Sequence, residues 1–154
     1  MIRRISISFF CPLLITGLLI VSSGANLIAQ ESKLTAIVNE VGAPNEMTLR
    51  ELKSILKGER QRWKGGSKVT VVLMKSNTTI GMLTSVKIFD MTANQVSKFF
   101  LSMVFQGKIE APVFLNTEAE ILDYVKRTKG AIGIIGPQAS SVSKLLLVEG
   151  EKTF

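Results

Sequence analysis

The reading of Val69-Thr70-Val71-Val72-Leu73-Met74-Lys75-Ser76-Asn77-Thr78-Thr79-Ile80-Gly81-Met82-Leu83 decides the fold. A β-rich apolar run breaks into a short polar turn, and a helix is expected from about Thr79 to Phe89. The turn gathers one cation, small hydrogen-bonding side chains and the free amides that open any helix. Those amides and the helix dipole both favour a negative charge, so the turn is suited to an oxyanion. The same residues also describe an ordinary helix cap with a solvated lysine beside it. Both readings stay open at this point.

On the N-terminal side of that stretch, Leu34–Asn39 alternates and is β-rich, which predicts a strand. Val41–Asn45 is a turn. Thr48-Leu49-Arg50-Glu51 matches a capping box, in which hydroxyl and carboxylate each satisfy a terminal amide. Leu49, Leu52, Ile55 and Leu56 follow at helical spacing, and Gly58 stops the helix. Trp63 lies in the loop beyond, where packing of the Gly58–Gly66 turn onto the sheet is favoured over ligand stacking.

On the C-terminal side, Ile80, Leu83 and Val86 form the expected buried stripe of the Thr79–Phe89 helix. Thr92-Ala93-Asn94-Gln95 opens another helix, whose Val96, Phe99, Phe100, Met103 and Val104 recur with amphipathic spacing. Phe99, Phe100 and Phe105 are read as core or edge packing. Ala111–Phe114 is extended. Thr117-Glu118-Ala119-Glu120 is a third capping signal, with Ile121, Leu122 and Val125 turned inward and Gly130 closing the helix. Gly130–Gly136 reads as a short buried strand and Lys144–Val148 as a final one. Strands therefore alternate with capped helices, which predicts an α/β domain with a mixed sheet and helices packed against it.

The chain has 154 residues and a formal net charge of +7. Arg3 and Arg4 precede an apolar run to Val21 and then Ser22-Ser23-Gly24-Ala25, the layout of a secretory signal. Residues 1–25 are read as that signal, with cleavage near residue 29 as the alternative and an uncleaved membrane anchor as the less favoured outcome. Cys11 lies inside the apolar run rather than after it, which argues against lipidation. Removing the segment leaves roughly 125 residues, enough for one domain with one core. Residues 31–150 are expected to form that domain and 151–154 to trail from it.

The exported part would contain neither Cys nor His. That excludes disulfides, thiolate nucleophiles, Ser-His-Asp triads and imidazole-ligated metals, and no cofactor is expected. Glu120 and Asp123 fit surface charge pairing beside Lys126 and Arg127 better than acid–base work. The chain is therefore read as not an enzyme. The densest basic run, Lys57–Lys64, lies in a Gly-bounded loop and reads as a solvated surface rather than a nucleic-acid patch.

The order of these pieces resembles the phosphate-type substrate-binding proteins of ABC importers, which are periplasmic binding proteins of type II. The resemblance rests on the capped helix from Thr48, the Leu56-Lys57-Gly58 turn, Trp63, Gly65-Gly66, the strand to Lys75 and the later Gly130-Ala131-Ile132-Gly133. It runs from about Leu34 to Gly150. It implies a periplasmic or otherwise exported protein with the fold of a single lobe, the second of the two that such proteins close over their ligand.

The resemblance also implies an oxyanion site, inorganic phosphate or similar, at Lys75, Ser76, Asn77, Thr78 and Thr79. The family's strand ends in an Arg-Ser-Asp-Gly-Ser-Gly-Thr type of motif. Lys75, Ser76 and Asn77 align with its first three residues, Thr78 and Ile80 with its glycines, Thr79 with its second serine and Gly81 with its threonine. Lysine lacks the bidentate grip of guanidinium, and Thr78 and Ile80 stand where glycine lets the backbone approach. The partners implied are an ABC transporter permease or another envelope protein, with a homodimer enclosing a shared ligand as a further expectation. The alternative is an envelope interaction module that kept the fold and lost the ligand.

Overall fold

The computed structural model describes residues 33–137 and 144–154. The proposed secretory segment, its cleavage positions and Cys11 lie outside the described residues. Among those residues no helix is long and apolar enough to cross a membrane.

The elements are β1 (Thr35–Val38), β2 (Glu46–Met47), α1 (Leu49–Leu56), β3 (Thr70–Met74), α2 (Thr79–Lys87), α3 (Ala93–Phe105), β4 (Val113–Leu115), α4 (Glu118–Arg127), β5 (Ala131–Ile135) and β6 (Lys144–Val148). One sheet runs in the order β2-β6-β1-β5-β3-β4. β3 is parallel to both β4 and β5, whereas β1 is antiparallel to β5 and β6. The mixed α/β architecture expected from the alternation of elements is therefore present.

Why the central strands read as continuous apolar runs is clear from their two faces. On β5, Ile132 and Ile134 point to one side, and Ala131 and Ile135 to the other, all fully buried. The first face packs against α1, α2 and α3 through Leu52, Ile55, Ile88, Phe89, Val96 and Phe100. The second face packs against α4 through Ile121 and Val125. Helices on both sides bury each strand twice, so polar alternation disappears. A Cβ on Gly133 would strike Ile121 and Val125, so glycine there sets how closely α4 approaches the sheet. Truncating a residue such as Ile132 or Ile121 to alanine costs about 2–5 kcal/mol. The exposed Lys53–Asp90 pair (3.1 Å) is screened by water and adds little beside this. The apolar layers therefore dominate stability.

Three capping boxes are formed, at Thr48/Glu51, Thr92/Gln95 and Thr117/Glu120. Trp63 is buried, and its Nε1–H donates to the Gly130 carbonyl at 2.9 Å, which fastens the Gly58–Gly66 turn to the start of β5. The basic run does not form a patch. Arg60 faces Glu51, Lys57 faces Asp90, and Arg62 donates to the Gly66 carbonyl.

Several expectations are corrected. In α2 the buried positions are Gly81, Thr84 and Ser85, while Val86 is 62% exposed. The helix presents its small face because its first turn lies against the Lys75 carbonyl. The Thr84 and Ser85 hydroxyls donate to the Ile80 and Gly81 carbonyls, so they can be buried without loss. Phe105 is 82% exposed rather than packed. Between the Val41–Asn45 turn and α1, Glu46–Met47 forms an edge strand, β2, which pairs with β6 and for which no strand was expected. α4 ends at Arg127, and the left-handed Gly130 instead admits the Lys68 carbonyl beside β5. Residues 151–154 do not trail. Leu34 and Phe154 exchange both backbone hydrogen bonds at 2.9 Å, and Glu151 does the same with Val148.

Candidate functional site

The topology picks out one edge of the sheet. β3 leads into α2 and α3 on one face and so reaches β4; α4 then returns on the opposite face to β5. At adjacent parallel strands whose following helices diverge to opposite faces, the chain opens a crevice beyond the carboxyl ends of the strands. Here that switch point lies at the carboxyl ends of β3 and β4, where α2 and α4 begin.

The five residues singled out in the sequence form the β3–α2 connection. Lys75 N–H donates to Leu115 O at 2.9 Å, which continues the β3–β4 ladder by one step. Its carbonyl then turns inward and accepts from Thr78 N–H at 3.0 Å and Thr78 Oγ1 at 2.8 Å. A Cβ on Gly81 would sit on that same oxygen, so the close approach of strand end and helix start requires glycine at 81.

Thr78 is the N-cap of α2, and its hydroxyl accepts from Gly81 N–H at 3.0 Å. With a donor and an acceptor role both engaged inside the turn, the Thr78 side chain is committed to structure. It is the member of the five that the ordinary cap reading describes. Ser76 is half-buried, and Lys75, Asn77 and Thr79 are exposed. Among the described residues, the amides of Thr79 and Ile80 have no protein acceptor, and no acid stands in the first turn of α2. The turn therefore presents backbone donors and the positive end of a nine-residue helix, with an exposed lysine at the residue that follows β3.

Two groups that the sequence reading passed over complete the surroundings. The ideal Cβ position of Gly136, just past β5, lies 3.0 Å from Glu118 Oε1 and 3.2 Å from Ile80 Cδ1. A carboxylate and an isoleucine thus close over the end of β5 beside the α2 N-terminus. The signals were present, since Glu118 opens α4 and Gly136 ends β5. Only the crossing of α4 to the opposite face brings them together.

Lys75 and Ser76 also line one end of an apolar groove of about 320 Å³ between α3 and β4, formed with Phe100, Leu101, Pro112 and Phe114 among others. Elsewhere, Asp123 pairs with Arg127, while Glu120 accepts from the Asn116 and Thr117 amides. Both are therefore engaged at the surface of α4. Among the described residues no cluster of His, Cys, Asp or Glu is arranged to hold a metal ion.

The chain matches no family model and no curated protein. Solved structures do match. An ABC-type phosphate transport receptor from Vibrio cholerae aligns with a TM-score of 0.61 at 16% identity, over 81% of this chain and 50% of that one. PstS from Borrelia burgdorferi aligns at 0.56 and 19%, over 85% and 56%. A phosphate ABC transporter substrate-binding protein from Clostridium perfringens, described as putative and solved with bound phosphate, aligns at 0.60 and 14%, over 85% and 54%. The chain spans about half the length of each. These neighbours are transport receptors and binding proteins by description, and the fold of this chain is that of about half of a phosphate-type ABC substrate-binding protein.

Proposed function

We propose that the protein is an exported oxyanion-binding domain of the phosphate-binding type, which takes inorganic phosphate or a similar anion at the Lys75–Thr79 turn in connection with ABC transport. The observation that carries this reading is the pair of open amides on Thr79 and Ile80 at the carboxyl end of β3, beside Lys75. A lysine at the positive end of a helix is unfavourable by about 0.3–1 kcal/mol, and a bound anion would relieve it. Ser76 Oγ, the Asn77 side-chain amide and the Thr79 hydroxyl supply further donors, while Thr78 shapes the turn. A single lobe covers an anion on one side only, so water competes for the other side and affinity is weak.

Glu118 and Ile80 beside Gly136 favour a second reading, an envelope interaction module that retains the fold without the ligand. Isothermal titration with phosphate and sulfate separates the two. Submillimolar phosphate binding that weakens in Lys75→Ala supports the anion site. Absence of heat and of any thermal shift at millimolar anion leaves the interaction module.

A further inference from the structure

We propose that the end of the sheet opposite the Lys75–Thr79 turn is a docking surface for an anionic membrane. Every strand except β1 begins at that end, and β1 finishes there, so it carries the loops from β1 to β2, α1 to β3, α3 to β4 and α4 to β5. Side-chain hydrogen bonds tie these loops together. Trp63 Nε1–H donates to the Gly130 carbonyl at 2.9 Å, Gln61 Nε2 to the Lys108 carbonyl at 2.6 Å, and Asn39 Nδ2 to the Lys126 carbonyl at 3.0 Å. Cations far apart in the chain are thereby gathered: Arg62 and Lys64 after α1, Lys108 after α3, Lys126 and Lys129 at the end of α4. All are exposed, and among the described residues none has a carboxylate within ion-pair distance.

Acids are fewer at this end: Glu110 pairs with Lys68, which leaves Glu40, Glu46 and Glu59. The opposite end carries Glu118, Glu120, Glu149 and Glu151 against Lys33, Lys75 and Lys152, so positive charge is concentrated on one side of the molecule. Two apolar side chains accompany the cations. Val41 is 55% exposed, and its amide donates at 2.9 Å to Asn39, the residue that reaches Lys126. Phe105, 82% exposed, closes α3 just before Lys108. Exposed apolar side chains set among cations fit a bilayer, which places anionic headgroups over an apolar interior. A linear polyanion would instead be met by a cationic track with stacking aromatics. Here the cations come from separate loops, and Trp63 is buried with its donor engaged. All but Arg62 are lysines, hydrated point charges suited to diffuse attraction rather than to a fixed grip. The docking does not depend on anion binding, and it would turn the Lys75–Thr79 turn away from the bilayer.

Co-sedimentation with lipid vesicles tests the proposal, using the full-length chain, purified as the cell processes it, in phosphate-free buffer. Partitioning onto phosphatidylcholine vesicles that contain about one third phosphatidylglycerol should exceed that onto pure phosphatidylcholine about tenfold or more, and should fall as salt is raised. Lys64→Glu and Lys129→Glu should each weaken it about tenfold. Both side chains are exposed, so the melting temperature should not fall. Lys152→Glu makes the same change of net charge at the opposite end and should leave the partitioning within about twofold. No preference for the anionic vesicles overturns the proposal, as does an equal loss in all three variants. So does capture of the soluble polyanion heparin without binding to either vesicle. Because the measurement contains no inorganic phosphate, its failure is distinct from failure of the anion site.

Discussion

The N-termini of α2 and α4 follow adjacent parallel strands, and both begin with a threonine cap, yet they end in opposite chemical states. At α4, Thr117 accepts from Glu120 N–H, and Glu120 Oε2 returns to accept from the Asn116 and Thr117 amides at 2.8 and 3.2 Å. The carboxylates of Glu118 and Glu120 stand in that first turn and offset the dipole. At α2 the corresponding third helical residue is Gly81, which has no side chain to return. Thr78 and the Lys75 carbonyl close what they can, and Thr79 and Ile80 stay open. The first two amides of α4, on Glu118 and Ala119, also donate to no described residue, so the termini differ in charge and in the returning third side chain: α4 carries two carboxylates in its first turn and α2 carries none.

This contrast can be broken at its closest contact first. Gly81→Ala places a Cβ on the Lys75 carbonyl and should cost about 3 kcal/mol in denaturant unfolding. A cost under about 1 kcal/mol would show that the α2 start is looser than described. Next, Lys75→Ala should weaken phosphate affinity about tenfold while leaving stability within about 0.5 kcal/mol. Equal loss of stability and affinity would instead make Lys75 a structural residue. Glu118→Gln should strengthen phosphate binding severalfold by removing the opposing charge, read by the same titration. An unchanged affinity would place Glu118 outside the electrostatics of the site.

Thr117→Ala should cost about 1–2 kcal/mol and Thr78→Ala about 1 kcal/mol, the order reflecting the fuller network at α4. The smallest effect is acid sensitivity. Hydrogen bonding from the Thr48 amide lowers the Glu51 carboxyl below its usual 4.5, and the Lys53 hydrogen bond lowers Asp90 below 3.8. The folded protein binds fewer protons at these groups than the unfolded chain. Their contribution is fully present above those usual values and is lost as pH falls through the lowered ones. Glu51→Gln should flatten the acid limb of a melting-temperature profile and leave the neutral region unchanged.

Much of the fold was legible because its signals are local. Thr48/Glu51, Thr92/Gln95 and Thr117/Glu120 each lie three residues apart, and the apolar runs of β1, β3 and β5 need no partner to be recognised. What failed depended on distant contacts. Val86 fits an apolar stripe, but the approach of Gly81 to Lys75 turns the small face of α2 inward. Phe105 lies one residue past the Val96–Val104 stripe, off the buried face of α3, and nothing among the described residues covers it. The Leu34–Phe154 pairing joins residues from opposite ends of the described chain, beyond the reach of any local signal.

The candidate site divides in the same way. By itself the sequence determined the strand–turn–helix at Val69–Lys87, the presence of Lys75 and its small polar neighbours, and the absence of cysteine and histidine after residue 11, because these are matters of composition and short-range hydrogen bonding. Only the tertiary structure decided what faces the open donors of α2. The crossing of α4 to the opposite face carries Glu118 beside Gly136 and Ile80. The Lys75 carbonyl, drawn into the first turn of α2, consumes Thr78. Both follow from how helices must pass a sheet, a constraint that acts between elements and leaves no periodic mark within any of them.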